Sequence, residues 1–473
     1  AQATSRLESW PYHPVRPAIM SPGPPLGPPG RQWTAGGGQA SPPPAVEVAA
    51  NPEQPSLGRF LRALRPAVAG SVLVRERYLC FCSLPAGLEG WRRHAALHAA
   101  VVRGGRDAAA PEGSVPGRWG AGPEEILEAD LHCGDEDFAA RVRSELRQPG
   151  AETAELPDEI QEQMVFFACV FSVNSFSFPE DGGRRNDIIF PTICRANHSC
   201  LPNAVIVPGK HAGETKLVAI RPIATGDPVE ICYFPSDYLI RNMPQRRAAL
   251  EQKFRFRCCC PRCEAATDLT RRFVASCACG IGDFTVDKDN SLCCVACGKA
   301  MQDEALAARL LSEEAEVEES LGSLAEPEDL ALPAADGLAG LGPEALQRCR
   351  AFAAAHGGHR AAAEYARRRV PALHAEGDHP EAAVAQVAFV NAVKELLPSG
   401  ASGLAWLVEL HARLAYVLEL AGRRQEACSA LREVLRHLEL ASGQHPSPAA
   451  FFELMECPKW FRLLQDVGPE MLS

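Results

Sequence analysis

The apolar positions of this chain change period along its length, and the changes divide it. Short β-prone runs come first, at Val72-Leu73-Val74 and Tyr78-Leu79-Cys80-Phe81-Cys82. Between Gly90 and Gly150, Ala, Arg and Gly dominate, which predicts helical pieces joined by loops. An apolar run with helical spacing extends from Ile160 to Phe178. Short strands are then predicted from Asp187 to Pro191, Ala204 to Val207, Thr215 to Ile220 and Val229 to Phe234. Turn formers such as Pro208-Gly209 and Gly226-Asp227-Pro228 separate several of them, as in a mostly β domain.

From about Met301 the period becomes helical, in Leu346 to Ala355, Val387 to Leu397, Leu404 to Leu420 and Glu426 to Leu440. Gly and Pro separate these segments, which predicts antiparallel helix pairs stacked as in tetratricopeptide-type arrays. The acidic stretch from Glu313 to Glu328 reads as a solvated face or linker, with a binding site as the alternative. Before all of this, residues 1–45 are crowded with Pro and Gly and predict a tail outside any core, or a proline-rich docking ligand. The expected organisation is therefore α+β. It comprises the tail, a mostly β domain over 46–240 with a helical insert at about 83–165, a cysteine-rich segment over 241–300, and an all-α domain over 301–473.

Composition changes this picture in three places. Hydrophobic residues at 46% and charged residues at 23% suit a soluble globular chain, and no apolar run reaches the roughly 20 residues of a membrane span. A net charge of −11 argues against direct nucleic-acid binding and is compatible with a basic peptide substrate. The start, Ala1-Gln2-Ala3-Thr4-Ser5, has no methionine and no basic-then-apolar signal pattern. It suggests a fragment or processed form, and a cytoplasmic or nuclear location is expected.

Cysteine is the strongest chemical signal. Of 19 cysteines, ten fall between Cys232 and Cys297. Several are spaced one or two residues apart, which favours metal over disulfides in a chain without a secretory signal. Cys258, Cys260 and Cys263 form a C-x-C-x-x-C arrangement that can supply three ligands to tetrahedral zinc, with the fourth coming from elsewhere. Cys277 and Cys279, followed by Cys294 and Cys297, make a second zinc knuckle, Cys294 being favoured over Cys293. Buried free thiols are the plain alternative. Around the first motif, Arg241, Arg246, Arg247, Lys253, Arg255, Arg257 and Arg262 read as a solvated basic face, with contact to an acidic partner as the alternative.

Three motifs then carry a resemblance. Asn197-His198-Ser199-Cys200-Leu201-Pro202-Asn203 resembles the Asn-His-Ser-Cys-x-Pro-Asn signature of SET-domain protein lysine methyltransferases. Gly226-Asp227-Pro228-Val229-Glu230-Ile231-Cys232-Tyr233 is similar to the strand that follows it in that family, and the thiols at Cys258 to Cys263 stand where the family has its post-SET segment. Val173-Asn174-Ser175-Phe176 and the helical C-terminal region resemble the SET and MYND-domain branch. The resemblance implies a pseudoknotted, mostly β SET domain, and transfer of a methyl group from S-adenosylmethionine to a lysine of a histone or other protein.

Roles follow residue by residue from the resemblance. Asn197 and His198 would hold the cofactor, Tyr233 would be catalytic beside it, and Phe256 would stack on the adenine. Phe254 and Phe176 would line the lysine channel, and Cys200 would be the fourth zinc ligand of the first centre. Gly58 and Arg59, in Leu57-Gly58-Arg59-Phe60, resemble the family's cofactor loop. The chain departs from the family at Phe60, where a glycine is usual, at Phe254, where tyrosine is common, and at Cys80 and Cys82, which lack the remaining ligands of a MYND finger. Plain structural roles remain open for His198, Tyr233 and Asn174, the last as a turn cap. The alternative function is an inactive SET-derived scaffold that binds protein partners through its helical region.

Overall fold

Where the sequence predicts one helix-like run from Ile160 to Phe178, the computed structural model has a helix followed by a strand. The helix, Asp158–Asn174, begins after Pro157, carries Asp158 and Glu159 in its first turn, and buries Met164, Val165, Phe167, Ala168, Val170 and Phe171 on several sides. It stops because Ser175-Phe176-Ser177-Phe178 alternates with period two and pairs as a strand instead. The structure describes residues 44–50, 59–85, 87–102, 126, 131, 136–180, 184–208, 214–234, 236–323, 338, 340–397 and 404–442. The expectations for residues 1–43, for Gly58 and for much of the acidic stretch beyond 323 lie outside them.

The contacts define two compact units, residues 1–235 with 248–258 and residues 236–247 with 259–473. The first holds strands β1 (Val46–Ala50), β2 (Arg59–Ala63), β3 (Val72–Arg77) and β4 (Cys80–Pro85), then helices α1 (Gly90–Val102), α2 (Glu136–Leu146) and α3 (Asp158–Asn174). Strands β5 (Ser175–Glu180), β6 (Arg184–Ile189), β7 (Asn197–His198), β8 (Ala204–Pro208), β9 (Glu214–Ala219) and β10 (Pro228–Ile231) follow. They form three small sheets ordered β1-β2-β10-β7, β3-β9-β8 and β4-β6-β5. In the first sheet, fully buried Leu61 of β2 stands between Val48 and Val229 of its two antiparallel neighbours. The helices make their own core from Ala139, Val142 and Leu146 against Met164, Val165, Ala168 and Cys169.

Helix α4 (Met243–Phe254) leads on to the second unit's one-turn helix α5 (Pro261–Glu264), the antiparallel sheet β11 (Thr267–Val274), β12 (Asp283–Asp287), β13 (Leu292–Cys294), and helices α6 (Glu304–Gly322), α7 (Pro343–Ala355), α8 (Arg360–Ala375), α9 (His379–Leu396), α10 (Leu404–Leu420) and α11 (Arg424–Ser442). Phe273, Phe284, Val286 and Leu292 of the sheet pack with Leu310, Val317, Phe352 and Tyr365 of the first three helices. The later helices share a second core of Val370, Ala382, Ala383, Val417 and Leu431. Among the described residues no helix is long and apolar enough to cross a membrane.

The acidic stretch is not simply a solvated linker. Up to Gly322 it is helical, and Glu314 lies in the stripe Leu310, Glu314, Val317, Leu321, all buried. There it accepts from Arg271 Nε at 2.7 Å and Nη2 at 2.5 Å and meets His359 Nε2 at 3.1 Å. Burial alone would raise its pKa; the bonds from Arg271 and His359 outweigh that and hold it at about 2.

Candidate active site and metal centres

The parallel pair β7 and β10 sets Glu230 opposite Asn197 and Ile231 opposite His198. A two-residue strand has few ladder bonds of its own, so side chains reinforce the register. Asn203 donates from Nδ2 to the Pro228 carbonyl at 2.8 Å and accepts the Glu230 amide on Oδ1 at 2.8 Å, while the Ser199 amide donates to the Ile231 carbonyl at 2.9 Å. The Asn-His-Ser-Cys-x-Pro-Asn segment is thus tied at both ends to β10, which ends two residues before Tyr233.

Buried His198 is oriented by that tie. Its Nδ1 accepts the Tyr233 amide at 3.1 Å, and an amide can only donate, so a neutral ring carries its proton on Nε2. Nε2 lies 3.3 Å from Cys200 Sγ. Tyr233, 1% exposed, donates from its hydroxyl to the Ala196 carbonyl at 3.1 Å.

Aromatic rings surround these two residues. Tyr233 meets His198 at 5.2 Å between centroids, Phe254 at 5.4 Å and Phe256 at 6.3 Å, all edge to face. Phe256 is also 6.1 Å from His198 and 6.5 Å from Phe254. The structure therefore gathers Asn197, His198, Tyr233, Phe254 and Phe256 in one place. Sequence reasoning passed over Phe234, which packs on Phe254 at 5.1 Å; the Tyr233-Phe234 pair, just past the end of β10 at Ile231, was the available signal.

Other expected residues lie differently. Buried Phe176 packs on Phe190 at 5.8 Å, within the β4-β6-β5 sheet and its border. Arg59 stands in β2 opposite Ala50, and half-buried Phe60 opposite Ala49. Asn174 donates to the Val170 carbonyl at 2.7 Å and so does close the end of α3. The basic residues near the thiols are not one solvated face. Arg246 and Arg247 are buried, Arg247 donating to the Cys263 carbonyl at 3.0 Å, while Arg262 donates to the Leu396 carbonyl at 3.1 Å and Lys253 Nζ sits 5.6 Å from the Phe254 ring centre. Their long apolar stems, with the forked donors of the arginines, make them packing residues here.

Both thiol quartets assemble. In each, Cys200, Cys258, Cys260, Cys263 and Cys277, Cys279, Cys294, Cys297, the four Sγ atoms lie within 4.8 Å of one another. A tetrahedron with zinc–sulfur arms of about 2.3 Å has edges of about 3.8 Å. In the second quartet Cys279 is 3.4 Å from Cys277 and 3.5 Å from Cys294, with Cys277 3.8 Å from Cys297. Gly280 and Gly298, each just past a cysteine pair, take φ of 82° and 68°, which turns the chain back so that the thiols converge. The amide of Cys297, with that of Ala296, draws the Cys294 thiol down to about 6 against the effect of burial. Cys259 is exposed and Cys293 stands outside the quartet, in line with the spacing.

No protein-family model matches the chain. A stretch of 77 residues is 36% identical to the histone-lysine N-methyltransferase SMYD3 of Homo sapiens, covering 16% of this chain. The chain spans 17% of the length of that curated relative. Among solved structures, the SET domain of LSMT bound to lysine and AdoHcy aligns over 90% of this chain and 95% of that one at 12% identity. Its TM-score of 0.27 establishes no shared fold.

Proposed function

We propose that this chain is an S-adenosylmethionine-dependent protein methyltransferase acting on a lysine side chain of a histone or other protein, built on a pseudoknotted SET domain with zinc in both thiol quartets. The observation that carries the reading is the convergence of His198, Phe254 and Phe256 on buried Tyr233, in the segment tied to Asn197. The partial identity to a histone-lysine methyltransferase supports it. The tetratricopeptide-like reading of the helices from α7 to α11 makes them the surface for protein partners, and the expected location is cytoplasm or nucleus.

The residues present suit the groups they would hold. Two sets of four thiols at tetrahedral spacing suit zinc. Half-buried Phe256 offers a ring for an adenine, beside the polar pair Asn197 and His198. Bound S-adenosylmethionine would supply an electrophilic methyl group for in-line displacement. The chain's own part is positioning and desolvation. A lysine, with a pKa of about 10.4 in water, is disfavoured as the cation between aromatic walls such as Phe254 and releases its proton more readily. The Tyr233 hydroxyl commits its proton to the Ala196 carbonyl and so faces the amine as an acceptor, aiming the nitrogen lone pair. His198 fixes where that tyrosine begins, through its amide.

Calorimetric titration of the zinc-replete chain with S-adenosylmethionine tests the reading. Saturable binding lost in Asn197→Ala is expected, together with lysine methyl transfer that falls about 100-fold or more in Tyr233→Phe while bound zinc is unchanged. A folded, zinc-loaded chain that binds no cofactor would overturn it and leave the SET-derived scaffold, for which Phe60 is the sequence feature.

A further inference from the structure

Helices α10 and α11 pack against each other, and a cluster that the sequence did not single out lies between them. His411 of α10 is 1% exposed, and its Nδ1 stands 2.7 Å from the Leu407 carbonyl one turn earlier. A carbonyl only accepts, so Nδ1 carries the proton and Nε2 presents a lone pair. Among the described residues no hydrogen bond reaches that Nε2. On α11, Glu433 and His437 are four residues apart and share a face. His437 is 5% exposed, and neither of its ring nitrogens has a hydrogen-bond partner among the described residues. Its Nε2 lies 3.9 Å from Glu433 Oε2, and its ring centre 5.4 Å from that of His411. One ligand atom from each of the three residues falls within a mutual 4.8 Å.

A packing role explains this arrangement poorly. Among the described residues three imidazole nitrogens are buried without partners, where an apolar side chain would fill the space with no polar atom to satisfy. Two neutral imidazoles and one carboxylate are instead a ligand set for a borderline divalent cation. The carboxylate also accepts from Arg436 Nη2 at 2.7 Å, a bond at the solvent side that orients it.

We propose that His411, Glu433 and His437 bind a divalent cation, zinc foremost, that pins α10 to α11. Three protein ligands leave a fourth tetrahedral position for water or an anion. The site uses no thiol, so it is chemically distinct from both cysteine quartets.

The test counts metal in the full chain. Wild type, His411→Asn and Glu433→Gln are loaded with zinc and weighed intact by native mass spectrometry, with circular dichroism to check folding. Wild type is expected to hold one ion more than either variant. Removing a direct ligand should weaken binding at least about tenfold, since even outer-sphere partners are worth that much. Loading with cobalt supplies a second readout: the spectrum of the ion missing from the variants should lack a thiolate-to-cobalt charge-transfer band. Equal ion counts in all three proteins, or a missing ion whose spectrum carries that band, would sink the proposal. Should His411→Asn fail to fold, Glu433→Gln, at the solvent edge of the cluster, decides alone.

Discussion

The two thiol quartets have the same donors and opposite surroundings. Cys277, Cys279, Cys294 and Cys297 come from the short β11 to β13 region, with Cys277, Cys279 and Cys297 open in part to solvent. Cys200, Cys258, Cys260 and Cys263 are all buried, and the first of them belongs to the Asn197 to Asn203 segment. The buried quartet touches the candidate active site through Cys200. His198 presents Nε2 to Cys200 and Nδ1 to the Tyr233 amide, so an ion held by Cys200 constrains the ring that positions Tyr233. The open quartet lies in its own ribbon and in the core that Cys294 joins.

The largest expected effects test that contrast directly. Structural zinc is worth on the order of 10 kcal/mol of apparent binding free energy in small metal-dependent folds. Cys200→Ser should lose one zinc and, through His198, S-adenosylmethionine binding with it. Cys277→Ser should also lose one zinc but keep its cofactor affinity. Metal counting beside calorimetry checks both, and equal cofactor affinity in the two variants would break the comparison.

Next in size is the support beneath the open quartet. Glu314, 3% exposed, pairs with Arg271 of β11, and removing one partner of a buried pair costs about 3 kcal/mol or more. Glu314→Gln should lower the melting temperature by that free energy while the zinc count stays unchanged. A lost ion would show that the quartet is not self-sufficient. The pH signature follows from the carboxylate's depressed pKa. Its contribution is fully present above about 4.5, the ordinary value, and is lost as pH falls through about 2.

What could be read in the sequence follows the same divide between local and long-range order. The open quartet is visible as two cysteine pairs, because its ligands are close in the chain and glycines close the turns. Helix α10 matches its apolar period from Leu404 to Leu420. Cys200 could be joined to Cys258, Cys260 and Cys263 only through a resemblance, since nothing local links positions so far apart. Helix α8 escaped notice because Arg367, Arg368, Arg369 and Pro371 interrupt its apolar face, although Arg368 is buried against Glu364. Glu314 misled for the same reason: a charge in a core stripe reads as solvated until its partner on another element is known. Buried His411 and His437 gave no sequence signal either, since they lie on different helices and each stands among other polar residues of its own.

The smallest effect separates the acid response of the ribbon's core from that of Glu314. His356 accepts the Val274 amide on Nδ1 at 3.1 Å and packs on Phe273 and Phe352 at 5.4 and 4.8 Å. Burial, with His359 nearby, pushes its pKa down to about 4. A histidine held neutral in the fold binds fewer protons than it does unfolded, so stability must rise with pH across the interval. The contribution is complete above about 6.5, the ordinary histidine value, and declines as pH falls towards 4, a window above that of Glu314. Discounted for solvent screening, it amounts to about 1–2 kcal/mol. Buried His359, whose pKa is also lowered, by burial against the opposing pull of Glu314, adds to the slope in the same direction. Denaturant melts at about pH 7 and about pH 5 measure the slope, and His356→Asn keeps an acceptor for Val274 without a titrating ring. A shallower slope in the variant assigns this window to His356; an unchanged slope assigns it to His359 or to another group.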